Sequence, residues 1–392
     1  MISTLCVAPL WGGRIYDFRG SIDLPLGIDD NPALGMLQTR DRSFKFVYGF
    51  APSVVMRSRG EFLNYQLSYA TGFDRVQGSN LDLNSQSQVF EGNASAALTP
   101  KLKVRVSESY IRSPDFTAFN LLRGNVSPPE GAFPRSDIVA LRRNSYSNAA
   151  AVSLDYTLDP RSGLSVGFGH FLRKFERNSV VDNQFLDQDV SSGNVQYTRK
   201  INRRTSWNFG YSMYQYNFQV SGDARTHNAN VGVEHQLSRT VSVSLVAGPS
   251  YTQFLKPSSG SSGYNTFANL TGSLEKDRLS LTYHRRNGAN FGIGSLADTQ
   301  DLSVNYFRSV GKRTSLNGAI MLYSARQRLE DRLENRGSSA SLIFNFLAST
   351  HWALSLGCSY QRQNGADIFD LQRKRVFGSI KFILPEFLRF EK

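Results

Sequence analysis

The stretch from residue 228 to residue 251 constrains the fold more than any other part of the chain. Its first half places Ala229, Val231 and Val233 at alternate positions, with small or polar residues between them. Its second half repeats the pattern after a short break at residues 238–240. Successive side chains of a β-strand point to opposite faces, so a period of two predicts two strands joined by a tight turn. One face of this hairpin is apolar, and the other is small and polar.

The same alternation recurs along the chain and is clearest at residues 63–74, where Leu63, Tyr65 and Leu67 share one face. The sequence contains no run of about 18 apolar residues, so it predicts no transmembrane helix. A soluble sandwich packs its apolar face against a second sheet, whereas a membrane barrel turns that face to lipid. The connections between the strands favour one of these two folds.

Short turns and long polar loops alternate along the chain. Turns of about two to five residues lie near positions 59, 100, 161, 201, 239, 276, 312 and 349. The longer loops are predicted at residues 75–87, 112–144, 173–187, 255–265, 285–298, 326–337 and 362–375. This alternation is typical of bacterial outer-membrane barrels, which have short periplasmic turns and long extracellular loops. About eight turns predict about 18 strands, with 16 as the neighbouring even count.

Residues 257–263, rich in Gly and Ser, are typical of a flexible linker.

We therefore predict an all-β fold, a transmembrane antiparallel up-and-down β-barrel in the bacterial outer membrane. Residues 14–392 form the barrel as one domain, and residues 1–13 form an N-terminal extension. A secretory signal is not evident in residues 1–10, which are too few and lack basic residues at their start. Whether the N-terminus is native or truncated stays open. Cys6 and Cys358 lie too far apart in sequence to indicate a disulfide framework.

The polar phase of the strands predicts the wall of a channel. A barrel of about 16 to 18 strands is too wide for its own side chains to fill and leaves an aqueous lumen. A wall of amides, hydroxyls, glycines and a few cations suits a neutral sugar chain and tolerates an anionic one. The alternative is that these residues are polar only because they face water. The predicted pore-lining residues are Lys45, Asn64, Gln66, Lys103, Arg105, Asn208, Asn230, Glu234, Asn305 and Asn317, with Ser242, Ser244 and Ser355 in the same phase.

The loop at residues 112–144 is the other candidate for a functional role. It is rich in proline and arginine and contains an apolar segment able to pack, and loops of this length are usually functional or disordered. Folded into the lumen, it would narrow the pore and present arginines to anions. The alternative is an outer loop that contacts lipopolysaccharide. The candidate constriction residues are Arg112, Arg123, Arg135, Arg142 and Arg143.

Composition and motifs exclude several other functions. The net charge of +13 fits an anionic partner, such as lipopolysaccharide phosphate, or basic residues spread over loops and rims. The basic residues form no continuous stripe, which argues against nucleic acid. The histidines have no metal-ligand spacing and no G-x-S-x-G motif occurs, so no catalytic residue, metal or cofactor is predicted and the chain is not expected to be an enzyme. His170 or His235 in a lipid-facing hydrolase site is the weaker interpretation, beside that of interfacial or rim histidines.

Several short segments near the first strands carry a family resemblance. Residues 27–31 (Gly-Ile-Asp-Asp-Asn), 50–53 (Phe-Ala-Pro-Ser) and 64–69 (Asn-Tyr-Gln-Leu-Ser-Tyr) together resemble the outer-membrane β-barrel family of exopolysaccharide secretion loci. The hairpin segment 95–100 also fits that family. The resemblance implies passive export of a polymer through the outer membrane, coupled to periplasmic export proteins. The C-terminus departs from the usual barrel ending, since Pro385 interrupts the last strand and Glu391 and Lys392 follow Phe390.

The first functional expectation is therefore a pore for passive export of an exopolysaccharide. The alternative is a general or anion-preferring diffusion porin, and the second alternative is an outer-membrane barrel enzyme or a structural barrel. The expected partners are outer-membrane lipid and lipopolysaccharide, a polysaccharide or small anionic solute, and periplasmic export proteins. The sequence does not determine the natural substrate, the oligomeric state, or whether loop 112–144 enters the lumen.

Overall fold

The computed structural model describes most of the predicted barrel domain. It describes residues 15–30, 44–77, 85–113, 145–175, 187–218, 223–255, 258–290, 295–327, 334–365, 371–385 and 388–391. No helix in these segments is both long and apolar enough to span a membrane. The predicted N-terminal extension, residues 1–13, lies outside the described residues, as does Cys6.

The described segments form nineteen β-strands. They are β1 (Ile15–Asp29), β2 (Lys45–Arg59), β3 (Leu63–Gln77), β4 (Ser85–Ala97), β5 (Leu102–Ser113), β6 (Ser145–Asp159), β7 (Ser162–Phe175), β8 (Gln188–Lys200), β9 (Thr205–Phe218), β10 (Ala224–Gln236), β11 (Val241–Leu255), β12 (Ser258–Ser273), β13 (Asp277–Asn290), β14 (Ser295–Ser309), β15 (Thr314–Gln327), β16 (Glu334–Leu347), β17 (Trp352–Gly365), β18 (Leu371–Ile383) and β19 (Leu388–Glu391). Strands β1 to β18 are each longer than the roughly 9 to 11 residues that a tilted transmembrane strand needs.

The strands close into a barrel. Each strand from β1 to β18 pairs with the next in antiparallel orientation, and β18 pairs with β1 from Ser21 opposite Ile383 to Asp29 opposite Arg375. The short β19 pairs with the start of β1 and continues the last strand after a break at Pro385, which has no backbone N–H to donate. The barrel therefore has 18 strands, as the sequence predicts, and the alternative count of 16 is wrong.

Side-chain oxygens stabilise several of the short turns. Thr99 Oγ1 accepts a hydrogen bond from the backbone N–H of Leu102 at 3.0 Å, and Ser238 Oγ accepts one from Val241 at 3.0 Å. Asp159 Oδ1 accepts one from the N–H of Arg161 at 2.7 Å, and this bond lowers the pKa of the exposed Asp159 carboxyl. Such bonds replace part of the strand ladder where the chain reverses. The short turns lie at one end of the barrel, called the short-turn end, and the opposite end is the long-loop end.

All seven predicted loops are shorter than the sequence indicates, because the flanking strands extend into each of them. The interpretation of residues 257–263 as a flexible linker is wrong for residues 258–263, because β12 begins at Ser258 and pairs with β11 as far as Leu255. The hydrogen bonds between paired strands come from the backbone. Glycine and serine can therefore continue a strand when the neighbouring strand supplies backbone donors and acceptors. Residues 285–290 and 295–298 likewise belong to β13 and β14 rather than to a loop.

The two faces of the barrel differ sharply. Opposite residues of an antiparallel pair lie on the same face, so the printed register assigns every strand position to one face. The large apolar side chains that are exposed occupy one set of alternate positions, as with Ile320, Leu356 at 61 % and Phe168 at 59 % exposure. We call this the outer face and its opposite the lumen face. Soluble proteins rarely expose such a continuous apolar band, which is typical of membrane barrels.

Candidate pore

The lumen face is a polar wall that can be followed across neighbouring strands. Glu234 lies opposite Ser244, and Ser244 lies opposite Asn269. The row continues through Thr282 to Ser303. Because each step keeps the same face, these polar side chains line one side of the barrel interior.

All the predicted pore-lining residues lie on the lumen face. They come from β2, β3, β5, β9, β10, β14 and β15, and the three serines in the same phase come from β11 and β17. Lys45, for example, lies opposite Asp29, and Lys103 lies opposite Asp155. That these side chains contact a passing solute stays a prediction.

Hydrogen bonds between side chains hold parts of this wall in place. Asn269 Nδ2 donates to Thr282 Oγ1 at 2.7 Å and to Ser280 Oγ at 3.2 Å. Asn269 Oδ1 in turn accepts from Thr271 Oγ1 at 2.7 Å. Networks of this kind fix the orientation of amide groups, so the wall presents an ordered set of donors and acceptors to water or solute.

A carboxylate from β6 lies beside the two cations of β5. Arg105 Nη2 lies 2.7 Å from Asp155 Oδ2, and the arginine side chain is 61 % exposed. Lys103 lies directly opposite Asp155 in the register. Two cations beside one carboxylate leave a net positive charge on this part of the wall, although Asp155 reduces the field that an anion would meet.

A buried ion cluster joins the last strand to the first at the long-loop end. Arg373 contacts both carboxylate oxygens of Asp29, with Nη2–Oδ2 at 2.6 Å and Nε–Oδ2 at 2.9 Å. Arg375 Nε lies 3.3 Å from the same Oδ2. All three residues are on the lumen face, and Asp29 and Arg373 are buried. These arginines were not predicted as lumen residues, because residues 362–375 were predicted to form a loop, although their alternate spacing was a usable signal.

The short-turn half of the lumen contains a cavity of about 680 Å³. It lies against one continuous arc of the wall, formed by β14–β18 and β1–β4, since β18 pairs with β1. Asp23, Glu91 and Lys381 line it, together with Lys312 and Arg313 from a short turn. Charges of both signs therefore face the open part of the channel.

The long-loop half of the lumen is shielded from solvent. Val190, Tyr216, Ala224 and Phe254 form a buried cluster across β8 to β11 on the lumen face. Other lumen-face side chains in this half have at most 2 % exposure. Among them are Arg173, Gln188, Thr226, Ser250, Thr252, Ala297, Thr299, Ala325 and Gln363. This level of the lumen is therefore less accessible to solvent than the short-turn half, where the Arg105 side chain is 61 % exposed.

The structure places one of the candidate constriction arginines. Arg112 lies opposite Gln88 and Tyr146, on the outer face of β5. The prediction that it narrows the lumen is therefore wrong, because the register directs its side chain away from the channel. Arg123, Arg135, Arg142 and Arg143 lie outside the described residues, so their role stays a prediction.

The two histidines considered for a hydrolase site lie on the outer face. His170 Nε2 is 2.9 Å from Asp189 Oδ1, and His235 Nδ1 is 2.9 Å from Thr205 Oγ1. These are contacts between neighbouring strands. Across the described segments, no group of three or more metal-ligating side chains is assembled.

Comparison with solved structures shows a similar fold. The barrel is similar to OccAB4 of Acinetobacter baumannii, with 10 % sequence identity, 95 % of this chain and 98 % of that one covered, and a TM-score of 0.51. OpdK and OpdL of Pseudomonas aeruginosa are 10 % and 11 % identical, with 94 % of this chain and 99 % of each of theirs covered and TM-scores of 0.49. At these identities the likeness concerns the fold alone. No family model and no curated protein matches the sequence.

The family resemblance seen in the sequence is supported only at the level of the fold. The similar solved structures are outer-membrane barrels, and nothing in their names points to exopolysaccharide secretion. Residues 27–29, 50–53 and 64–69 of these segments lie in β1, β2 and β3, where any barrel strand shows the same alternation, and residue 31 lies outside the described residues. They do not separate one barrel family from another.

Proposed function

We propose that this chain is a bacterial outer-membrane pore through which small solutes diffuse, as in the general or anion-preferring porin of the sequence analysis. The observation that carries the proposal is a polar lumen face inside an apolar outer face, closed by 18 strands. Such a wall lets solutes exchange hydrogen bonds with protein and water at little net cost. The apolar outer face supports a location in the membrane.

The shielded long-loop half of the lumen favours small solutes over a polymer. A polysaccharide chain needs an open passage along the whole barrel. Thr226 and Thr252 have exposures of 0 % and 1 %, so a solute does not reach the wall at their level. Polysaccharide export, the first expectation from sequence, therefore becomes the second candidate.

The charges of the lumen support a modest preference for anions. Lys103 and the largely exposed Arg105 face the channel, with the carboxylate of Asp155 on the neighbouring strand opposite Lys103 and in contact with Arg105. Lys312, Arg313 and Lys381 line the cavity of the short-turn half, where Asp23 and Glu91 oppose them. This mixture of signs is consistent with weak selectivity rather than with a dedicated anion channel.

The experiment is single-channel conductance in planar bilayers, with the reversal potential measured in a salt gradient. We expect discrete conductance steps and a reversal potential that favours the anion. Long neutral and acidic polysaccharides are added as the test of export, and we expect them to leave the conductance unchanged. A complete absence of steps would contradict the pore. Block and transit by long polysaccharides would favour the export channel.

A further inference from the structure

The outer face carries cations at the long-loop end that are distributed unevenly around the barrel. Arg75, Lys174 and Arg225 are exposed and lie on β3, β7 and β10, which are not neighbours. Arg336, Arg362 and Lys374 are also exposed but lie on the consecutive strands β16, β17 and β18. We call these last three residues the cation cluster.

The register brings the cation cluster together. Arg362 lies opposite Ser338 of β16 and opposite Gln372 of β18. Arg336 is two positions from Ser338, and Lys374 is two positions from Gln372. Each of them is therefore a diagonal neighbour of Arg362, and such neighbours lie about 7 to 8 Å apart. Arg326 of β15 is nearby but lies opposite Glu334, so it is not included.

Acidic residues are scarce beside the cation cluster. Across the described lengths of β16, β17 and β18, the acidic residue is Glu334, whose backbone position pairs with that of Arg326. Two outer-face carboxylates elsewhere near this end have their own basic partners, since Asp189 contacts His170 and Asp298 contacts Arg285. Within the described lengths of these three strands, basic side chains therefore outnumber acidic ones on the outer face, which gives the cluster an excess of positive charge.

An apolar surface lies on the same three strands, nearer the middle of the barrel wall than the cation cluster. Leu342, Cys358 and Val376 lie opposite one another in a single row across the same three strands. All three are exposed on the outer face. A positive patch above an exposed apolar row matches an amphiphile that has an anionic head and hydrocarbon chains.

We propose that the cation cluster binds the phosphate groups of a phosphorylated glycolipid in the outer leaflet, with acyl chains against Leu342, Cys358 and Val376. This inference rests on the membrane location in the proposed function. Guanidinium groups bind phosphate through paired hydrogen bonds, and the lysine adds a point charge. Arg336 and Arg362 also interact within the chain, but a guanidinium has five donors and can serve a second acceptor.

The test is native mass spectrometry of the purified protein titrated with diphosphoryl lipid A or with its dephosphorylated form. The variant is R336Q/R362Q/K374Q, and the matched control is R75Q/K174Q/R225Q, which removes the same charge from separate strands. We expect the cluster variant to lose about tenfold or more in affinity for the phosphorylated lipid, from roughly additive contributions of each cation. The control should change by about twofold or less, and neither should alter affinity for the dephosphorylated lipid.

Equal losses of affinity in both variants would mean diffuse attraction and would overturn the site, as would an unchanged affinity in the cluster variant.

A nitroxide label at Cys358 in a Cys6→Ser background provides a second measurement without changing the cluster. Diphosphoryl lipid A should immobilise this label, and the dephosphorylated form should not. Both charge variants should keep wild-type conductance. A wild-type protein that binds the lipid but conducts nothing would contradict the pore and leave the lipid site intact.

Discussion

The two halves of the lumen have the same kind of wall but opposite access to solvent. In the short-turn half, Arg105 is largely exposed and a cavity of about 680 Å³ opens against the arc of β14–β18 and β1–β4. In the long-loop half, Thr226, Thr252 and Arg173 are all but inaccessible. Strand number sets the diameter of the barrel, but the accessible width changes along its axis. The shielded half therefore determines what passes.

The difference in solvent access between the two halves also affects how much a substitution changes the free energy of unfolding. A polar group in the open half can exchange its partner for water, whereas a polar group in the shielded half cannot. The same substitution should therefore cost more in the shielded half. The predictions below compare matched pairs from the two halves, beginning with the largest expected effect.

Asp29→Asn should destabilise the barrel strongly, because it removes the charge that compensates the buried Arg373 and the neighbouring Arg375. Loss of one partner from a buried ion pair typically costs about 3 to 5 kcal/mol. The matched change in the open half is Asp155→Asn, which removes a carboxylate from a partly exposed pair and should cost about 1 kcal/mol or less. Urea unfolding in lipid vesicles measures both. Equal losses would contradict the contrast between the halves.

Thr226→Val should cost about 1 to 3 kcal/mol, because it leaves the buried Thr252 hydroxyl without the partner now at 2.9 Å. The double variant T226V/T252V should recover part of this loss, since the two paired hydroxyls are then removed together while the buried Tyr216 hydroxyl still loses its bond to Thr226. In the open half, Ser355→Ala breaks the 2.8 Å bond from Ser355 Oγ to Asn345 Oδ1 and should cost about 1 kcal/mol. A double variant less stable than T226V alone would contradict the assignment of Thr226 and Thr252 to a dry region.

The double variant Lys103→Gln/Arg105→Gln should lower the anion-to-cation permeability ratio by about twofold. The effect is small because the nearby carboxylate of Asp155 already weakens the positive field. Asp155→Asn should shift the ratio in the opposite direction. Reversal potentials in a salt gradient measure both changes. An unchanged ratio in both variants would mean that the open half does not determine ion selectivity.

The smallest expected effect concerns the Asp159 turn at the short-turn end. The N–H of Arg161 lowers the pKa of this carboxyl from its ordinary 3.8. Its contribution to stability is therefore present above the ordinary pKa and is lost as pH falls through the lower folded value. Asp159→Asn should reduce the loss of thermal stability between neutral and strongly acidic pH. Thermal melts at both pH values test this, and an unchanged difference would show that the turn carboxyl contributes nothing.

The fold and the lumen face were predictable from sequence because both depend on local periodicity. A period of two assigns Asn64, Asn230 and Asn305 to the polar face whichever strands pair. The alternation of short and long connections gave the strand number. Residues 258–263 were misinterpreted because glycine and serine carry no strand signal of their own and take their conformation from the neighbouring strand.

The low solvent exposure of the long-loop half could not be predicted in the same way. Thr226 and Asn64 have similar local patterns, and only the three-dimensional arrangement shields one of them from solvent. Arg373 and Arg375 were concealed by a predicted loop, and their partner Asp29 lay in segment 27–31, which contributed only a family resemblance. The cation cluster was equally invisible, because it depends on the register of three strands that sequence periodicity does not specify.

Side-resolved polymer exclusion tests the central claim most directly. Polyethylene glycols of increasing size are added to one side of a single channel and then to the other, and the conductance is recorded. We predict that polymers of intermediate size enter from the short-turn side and lower the conductance, whereas the same polymers are excluded from the long-loop side. Equal entry from both sides, with passage of long polymers, would contradict a channel that is constricted in its long-loop half.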